Sequence, residues 1–194
     1  MAMELNRRRV LQIGLLGGVA LAAAGTLSWV RFGYHLQPGE RPVALSPKEW
    51  CVVRAMVEAL LPADGDLPAG IDLGIVQRID EEVWSAPPGV TKDLKAALQL
   101  MEHAPPALGF AGRFSSLSPE ARRACFDRML RSRWGLLVQT AVAYKQMAHL
   151  FYYGHPATWG ATGYDGPWIG QEKPPPSALA YRGALEAAYP GGWG

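Results

Sequence analysis

Two cysteines and four histidines in 194 residues leave this chain poor in soft metal ligands. There is no Cys-x-x-Cys-His, so no c-type haem attaches, and two thiols alone cannot hold an iron–sulfur cluster. No Glu-x-x-His falls on a helical stretch, which argues against a di-iron bundle. Gly-x-Gly-x-x-Gly and the P-loop are missing too. No segment alternates apolar and polar residues for long enough to make a sheet. These absences leave an all-α chain with no cofactor and no metal site of its own as the expectation.

Strong net charge is also lacking. The formal charge of +2 resides in the first residues. Without residues 1–24, which carry Arg7, Arg8, Arg9 and Glu4, 16 basic and 16 acidic residues remain. A neutral body argues against nucleic acid as a partner. The length suits one modest domain that can still bury a real core.

What is present begins with Asn6-Arg7-Arg8-Arg9-Val10-Leu11-Gln12. The pair Arg7-Arg8 with apolar Val10 and Leu11 behind it resembles a twin-arginine export signal, with Val10 in place of the usual Phe and Gln12 in place of Lys. Ile13 to Val30 follow as a weakly hydrophobic run diluted by glycine and alanine. Ala22-Ala23-Ala24 suits a signal peptidase. Left uncleaved, the run would make a helix about 27 Å long, which matches a bilayer core, with Trp29, Phe32 and Tyr34 at the interface. Residues 1–30 are thus a signal or an anchor and 31–45 a linker. The expected location is the periplasm or cell envelope.

Residues 46–153 read as a helical domain, an irregular bundle of about five short helices. Ser46-Pro47-Lys48-Glu49 is a capping box with proline at the first helical position, and Trp50, Val53, Val57, Leu60 and Leu61 form one face up to Pro62. A second helix is expected from Asp72, with Ile75, Val76, Ile79 and Val83 inward. Thr91 caps a third with Leu94, Leu98 and Met101. Ser118-Pro119 opens a fourth with Ala121, Cys125 and Met129. The fifth, Trp134 to Tyr153, is the most apolar, and such a helix is expected at the centre.

Residues 154–194 hold nine glycines and six prolines, too many for sustained helix, yet they carry Trp159, Tyr164, Trp168, Tyr181, Tyr189 and Trp193. A disordered tail lacks aromatics. This irregular aromatic tail either folds back on the domain or clasps a second protein. Trp159, Tyr164, Asp165 and Trp168 are its candidate contact residues.

Other chemistry is sparse. Cys51 and Cys125 either pair in an oxidising compartment or remain two separate thiols. His149 and His155 are six apart, a poor spacing for two ligands on one helix face. With Lys145 and Asp165 they are the nearest approach to an active site. Glu81-Glu82 beside Asp80 reads as a solvated face. Ser115, Ser116 and Ser118 read as caps.

Several segments in order resemble the gluconate 2-dehydrogenase subunit 3 family: the arginine pair, Leu45-Ser46-Pro47-Lys48-Glu49, Ala59-Leu60-Leu61-Pro62-Ala63-Asp64, Pro68-Ala69-Gly70-Ile71 and the Ile79-Asp80 helix. Tyr152-Tyr153-Gly154-His155-Pro156 and Gly163-Tyr164-Asp165-Gly166-Pro167-Trp168 resemble its C-terminal signature. The likeness spans roughly residues 5–170. Pro174 to Gly194 match nothing in the pattern.

The resemblance implies the small subunit of an exported dehydrogenase of sugars or alcohols. Such a subunit does not catalyse. Its large glucose-methanol-choline type partner holds FAD and often an iron–sulfur cluster, a multihaem cytochrome c takes the electrons in some complexes, and the small subunit aids folding and lends its signal at the twin-arginine translocase. A free-standing exported or membrane-anchored helical binding protein is the alternative.

Overall fold

Ser46 starts the first helix as its neighbours dictate. Its hydroxyl accepts from the Glu49 amide, the Glu49 carboxylate accepts from the Ser46 amide at 2.8 Å, and Pro47 fixes the first turn. The computed structural model describes residues 33–164 and 176–190, and the described residues from Leu36 onward belong to one compact unit. Arg7, Arg8, Val10, Leu11, Asp165 and Trp168 lie outside the described residues, as does the run from Ile13 to Val30.

The helix that Ser46 opens, α1 (Pro47–Leu60), has nine of its 14 residues buried, with Val53, Met56 and Val57 wholly so. A helix buried on nearly every side is the centre of its fold. It packs on α2 (Ile75–Ser85), α3 (Pro88–His103), α4 (Pro119–Leu130) and the 3-10 turn Phe114–Ser116. On their other side, α5 (Gly135–Tyr153) packs on the same α2, α3 and α4. Among the described residues there are seven α-helices and no strand beyond the isolated Asp64–Leu67 bridge, so the fold is all-α.

Two helix starts differ from the sequence reading. Residues 69–74 are spent on turns, Asp72 N to Ala69 O and Gly74 N to Ile71 O, and Gly74 takes the left-handed φ of 67° that ends them, so α2 begins at Ile75. The third helix begins at Pro88, and Thr91 sits inside it. Its hydroxyl lies 3.1–3.2 Å from the carbonyls of Val83, Ala86 and Pro87, which ties the end of α2 to the start of α3.

The centre of the bundle is α1, not the fifth helix. Leu137, Ala141, Tyr144 and Ala148 of α5 are buried, but Leu136 faces out. The apolar content of α5 exceeds what one buried face requires.

The tail is more helical than its composition suggests, with α6 (Pro156–Thr162) and α7 (Pro176–Ala188) in it. Proline and glycine punctuate these helices instead of preventing them. Pro156 and Pro176 are first residues, and Gly163 with φ 68° ends α6. Tyr181 and Leu185 of α7 are buried, so this part folds back on the domain.

Cys51 and Cys125 are thiols and form no bridge. Cys125 belongs to the apolar core cluster, whereas Cys51 lies outside it and accepts from Arg54 Nη2 at 3.6 Å. The two point to different surroundings although α1 and α4 pack together.

Candidate partner-contact surface

On α5, residues that leave the buried face recur every three or four positions. Leu136, Gln139, Ala143, Gln146, Leu150 and Tyr153 are all exposed. This is the spacing of a single helix face. Leu136 is 66% exposed and Leu150 71%, values far above what burial would give a leucine in a closed core. From Gly135 to Tyr153 the one residue with a fixed charge is Lys145. The stripe runs about 27 Å, and its two glutamines offer amides that would fix register against a partner.

The stripe leads into an open groove of about 490 Å³ between the start of α2 and the junction of α5 with α6, lined by Leu73, Arg78, Leu150, Phe151, His155 and Pro156 among others. The Arg78 guanidinium lies 4.7 Å from the Phe151 ring centroid and pairs with Glu81 at 2.8 Å. The groove is thus apolar along one wall with a compensated charge on the other.

Beside it lies the aromatic pair singled out in the tail. Trp159, half-buried, meets Tyr164 edge to face at 5.3 Å, and Tyr164 is 45% exposed. The indole Nε1 of Trp159 is buried without an acceptor among the described residues. Tyr152 anchors this end from within: its hydroxyl donates to the Pro68 carbonyl at 2.7 Å.

Of the residues weighed as an active site, His149 and His155 serve local structure. His149 Nδ1 is 2.7 Å from the Lys145 carbonyl, and its ring stacks loosely on Tyr153 at 6.0 Å. His155 caps α6 by accepting from the Ala157 amide at 3.2 Å. Among the described residues no group of three or more His, Cys, Asp or Glu is placed to hold a metal ion. No described helix is long and apolar enough to cross a membrane.

A second polar cluster lies at the far end of α3. The Lys48 ammonium donates to His103 Nε2 at 2.8 Å, and burial, with Lys48 second, lowers the His103 pKa. Next to it Glu102, fully buried, accepts from the Ser115 amide at 2.9 Å and hydroxyl at 2.7 Å. Ser115 thus anchors a carboxylate rather than capping a helix.

The leucines of the outward α5 stripe were not legible in the sequence because they look like core residues. Asp80 was missed for the opposite reason. It is fully buried, on the same helix face as Val76, Ile79 and Val83, while Glu81 and Glu82 pair with Arg78. Its spacing within the apolar stripe was the available signal. No family model, curated protein or solved structure matches this chain.

Proposed function

We propose that this chain is the non-catalytic small subunit of an exported flavin-dependent dehydrogenase of sugars or alcohols, and that it helps the catalytic subunit fold and carries it through the twin-arginine translocase. The observation that carries the reading is the exposed, nearly uncharged stripe from Leu136 to Tyr153, continuous with the groove at Phe151 and His155. A permanent subunit is held by apolar contact more than by charge, and a stripe of this kind suits an uncharged helix of a large partner. The arginine pair Arg7-Arg8 supports export, and the order of the segments resembling the gluconate 2-dehydrogenase subunit 3 family supports the kind of partner.

In this reading FAD, and an iron–sulfur cluster or haem where present, belong to the partner subunits. The complex works in the periplasm or cell envelope, with residues 13–30 either removed or retained as an anchor. The test is to isolate the tagged chain from its native envelope and record the absorbance spectrum and subunit masses. A stoichiometric large subunit with flavin bands is the expected result. A colourless chain that comes down alone would overturn the reading in favour of a free-standing binding protein.

A further inference from the structure

Residues 40–45, just ahead of α1, are held at almost every position. Glu40 pairs with Arg54 at 2.6 Å, and the Lys95 ammonium donates to the Ala44 carbonyl. The amides of Val43, Ala44 and Leu45 donate to the Asp80 carboxylate at 2.9, 3.1 and 2.7 Å. Three successive N–H groups converging on one carboxylate form an anion cradle. Because Asp80 is fully buried, these charge-assisted bonds act in a low dielectric, where they are stronger than at a surface.

The cover over the cradle comes from the far end of the chain. Tyr181 of α7 donates its hydroxyl to Asp80 Oδ2 at 2.6 Å and accepts from the Gln77 side-chain amide. Its ring meets Trp84 edge to face at 5.8 Å. Burial, and then the bond to Asp80, raises the Tyr181 pKa, which keeps the hydroxyl a donor. Tyr189, the residue after α7, donates to the Pro42 carbonyl at 2.9 Å, and the Arg41 guanidinium lies 5.6 Å from its ring.

The geometry points to a latch: α7 locks residues 41–45 onto α2 through Tyr181 on Asp80 and Tyr189 on Pro42. Arg54, Lys95 and the Asp80 carboxylate already hold the segment, and the docking of α7 adds the bonds of Tyr181 to Asp80 and of Tyr189 to Pro42. With α7 undocked, residues 41–45 are held more loosely; with α7 docked, they are locked. This goes beyond the accessory role and does not depend on it.

The test is amide hydrogen exchange on the full chain and on the double variant Tyr181→Phe/Tyr189→Phe, which keeps both rings and deletes both bonds. Exchange at Val43, Ala44 and Leu45 should quicken at least tenfold, while Val53 to Val57 in α1 keep their protection. Unchanged protection at 43–45 would overturn the latch, and so would an equal acceleration in α1, which would make the hydroxyls props of the whole domain. Should the double variant fail to fold, Tyr189→Phe alone is read in the same way, since its hydroxyl bonds only to the Pro42 carbonyl among the described residues.

Discussion

Leu136 and Leu150 stand on the same outward face of α5, four helical turns apart, and each is more than half exposed among the described residues. Leu136 opens the stripe proposed as a contact surface, and Leu150 lies where the stripe enters the groove.

Placing a charge on that stripe separates binding from folding. Leu136→Lys or Leu150→Lys should weaken association with the proposed flavoprotein subunit tenfold or more, about 1.4 kcal/mol, in a titration of purified subunits. Thermal unfolding of the isolated chain should stay within a degree or two, because both side chains are already in water. A drop in melting temperature with unchanged affinity would place the partner elsewhere.

Asp80 is the most consequential polar residue of the fold. Asp80→Ala leaves the amides of Val43, Ala44 and Leu45 and the Tyr181 hydroxyl without their acceptor. Urea unfolding should show a loss on the order of 3 kcal/mol. A loss below about 1 kcal/mol would mean that water replaces the carboxylate at little cost.

The thiols offer a direct readout of the core. Burial pushes Cys125 up to about 11 and raises Cys51 as well, so neither is appreciably a thiolate at pH 8. Native protein should react slowly with a disulfide reagent and release two equivalents once unfolded in denaturant without reductant. A yield near zero after unfolding would reveal a bridge after all.

His103 sets a pH response. Its folded pKa lies below the ordinary 6.5 because burial, and then the Lys48 charge, disfavours the imidazolium. The native state therefore binds fewer protons than the unfolded one. The stabilisation is complete above pH 6.5 and is lost as the pH falls through the folded pKa. The His103 ring signal in a proton NMR titration should have its midpoint below 6.5, and Lys48→Met should move it back up. A midpoint unaffected by Lys48→Met would leave burial as the whole cause.

Export gives the functional counterpart. If the proposed carrier role holds, replacing Arg7 and Arg8 by Lys should leave this chain and the proposed flavoprotein subunit together in the cytoplasm, as judged by fractionation. Normal export of the partner from such cells would remove the carrier role.

The helices of the domain were legible wherever one signal dominated. Ser46 and Ser118 each sit ahead of a proline, and both cap as their residue types require. Thr91 misled because a hydroxyl before an apolar stripe looks like a cap, while Pro88, three residues earlier, was the true first residue. In the tail, Tyr181, Leu185 and Tyr189 recur every four residues, a helical signal obscured by the glycine and proline count. The contact surface was the least legible part. Periodicity tells which residues share a face, but α5 has apolar residues on two faces, and only the packing of α2, α3 and α4 decides which one is covered.

The place of α1 at the hub has a consequence for how the chain is made. It is the first helix of the domain to leave the ribosome, and its covering helices end seventy residues later, at Leu130. At typical synthesis rates that gap lasts about 4–14 s. Until the last of these helices is made the cover over Val53, Met56 and Val57 is incomplete, so the nascent chain carries a partly bare apolar hub before the domain can close over it.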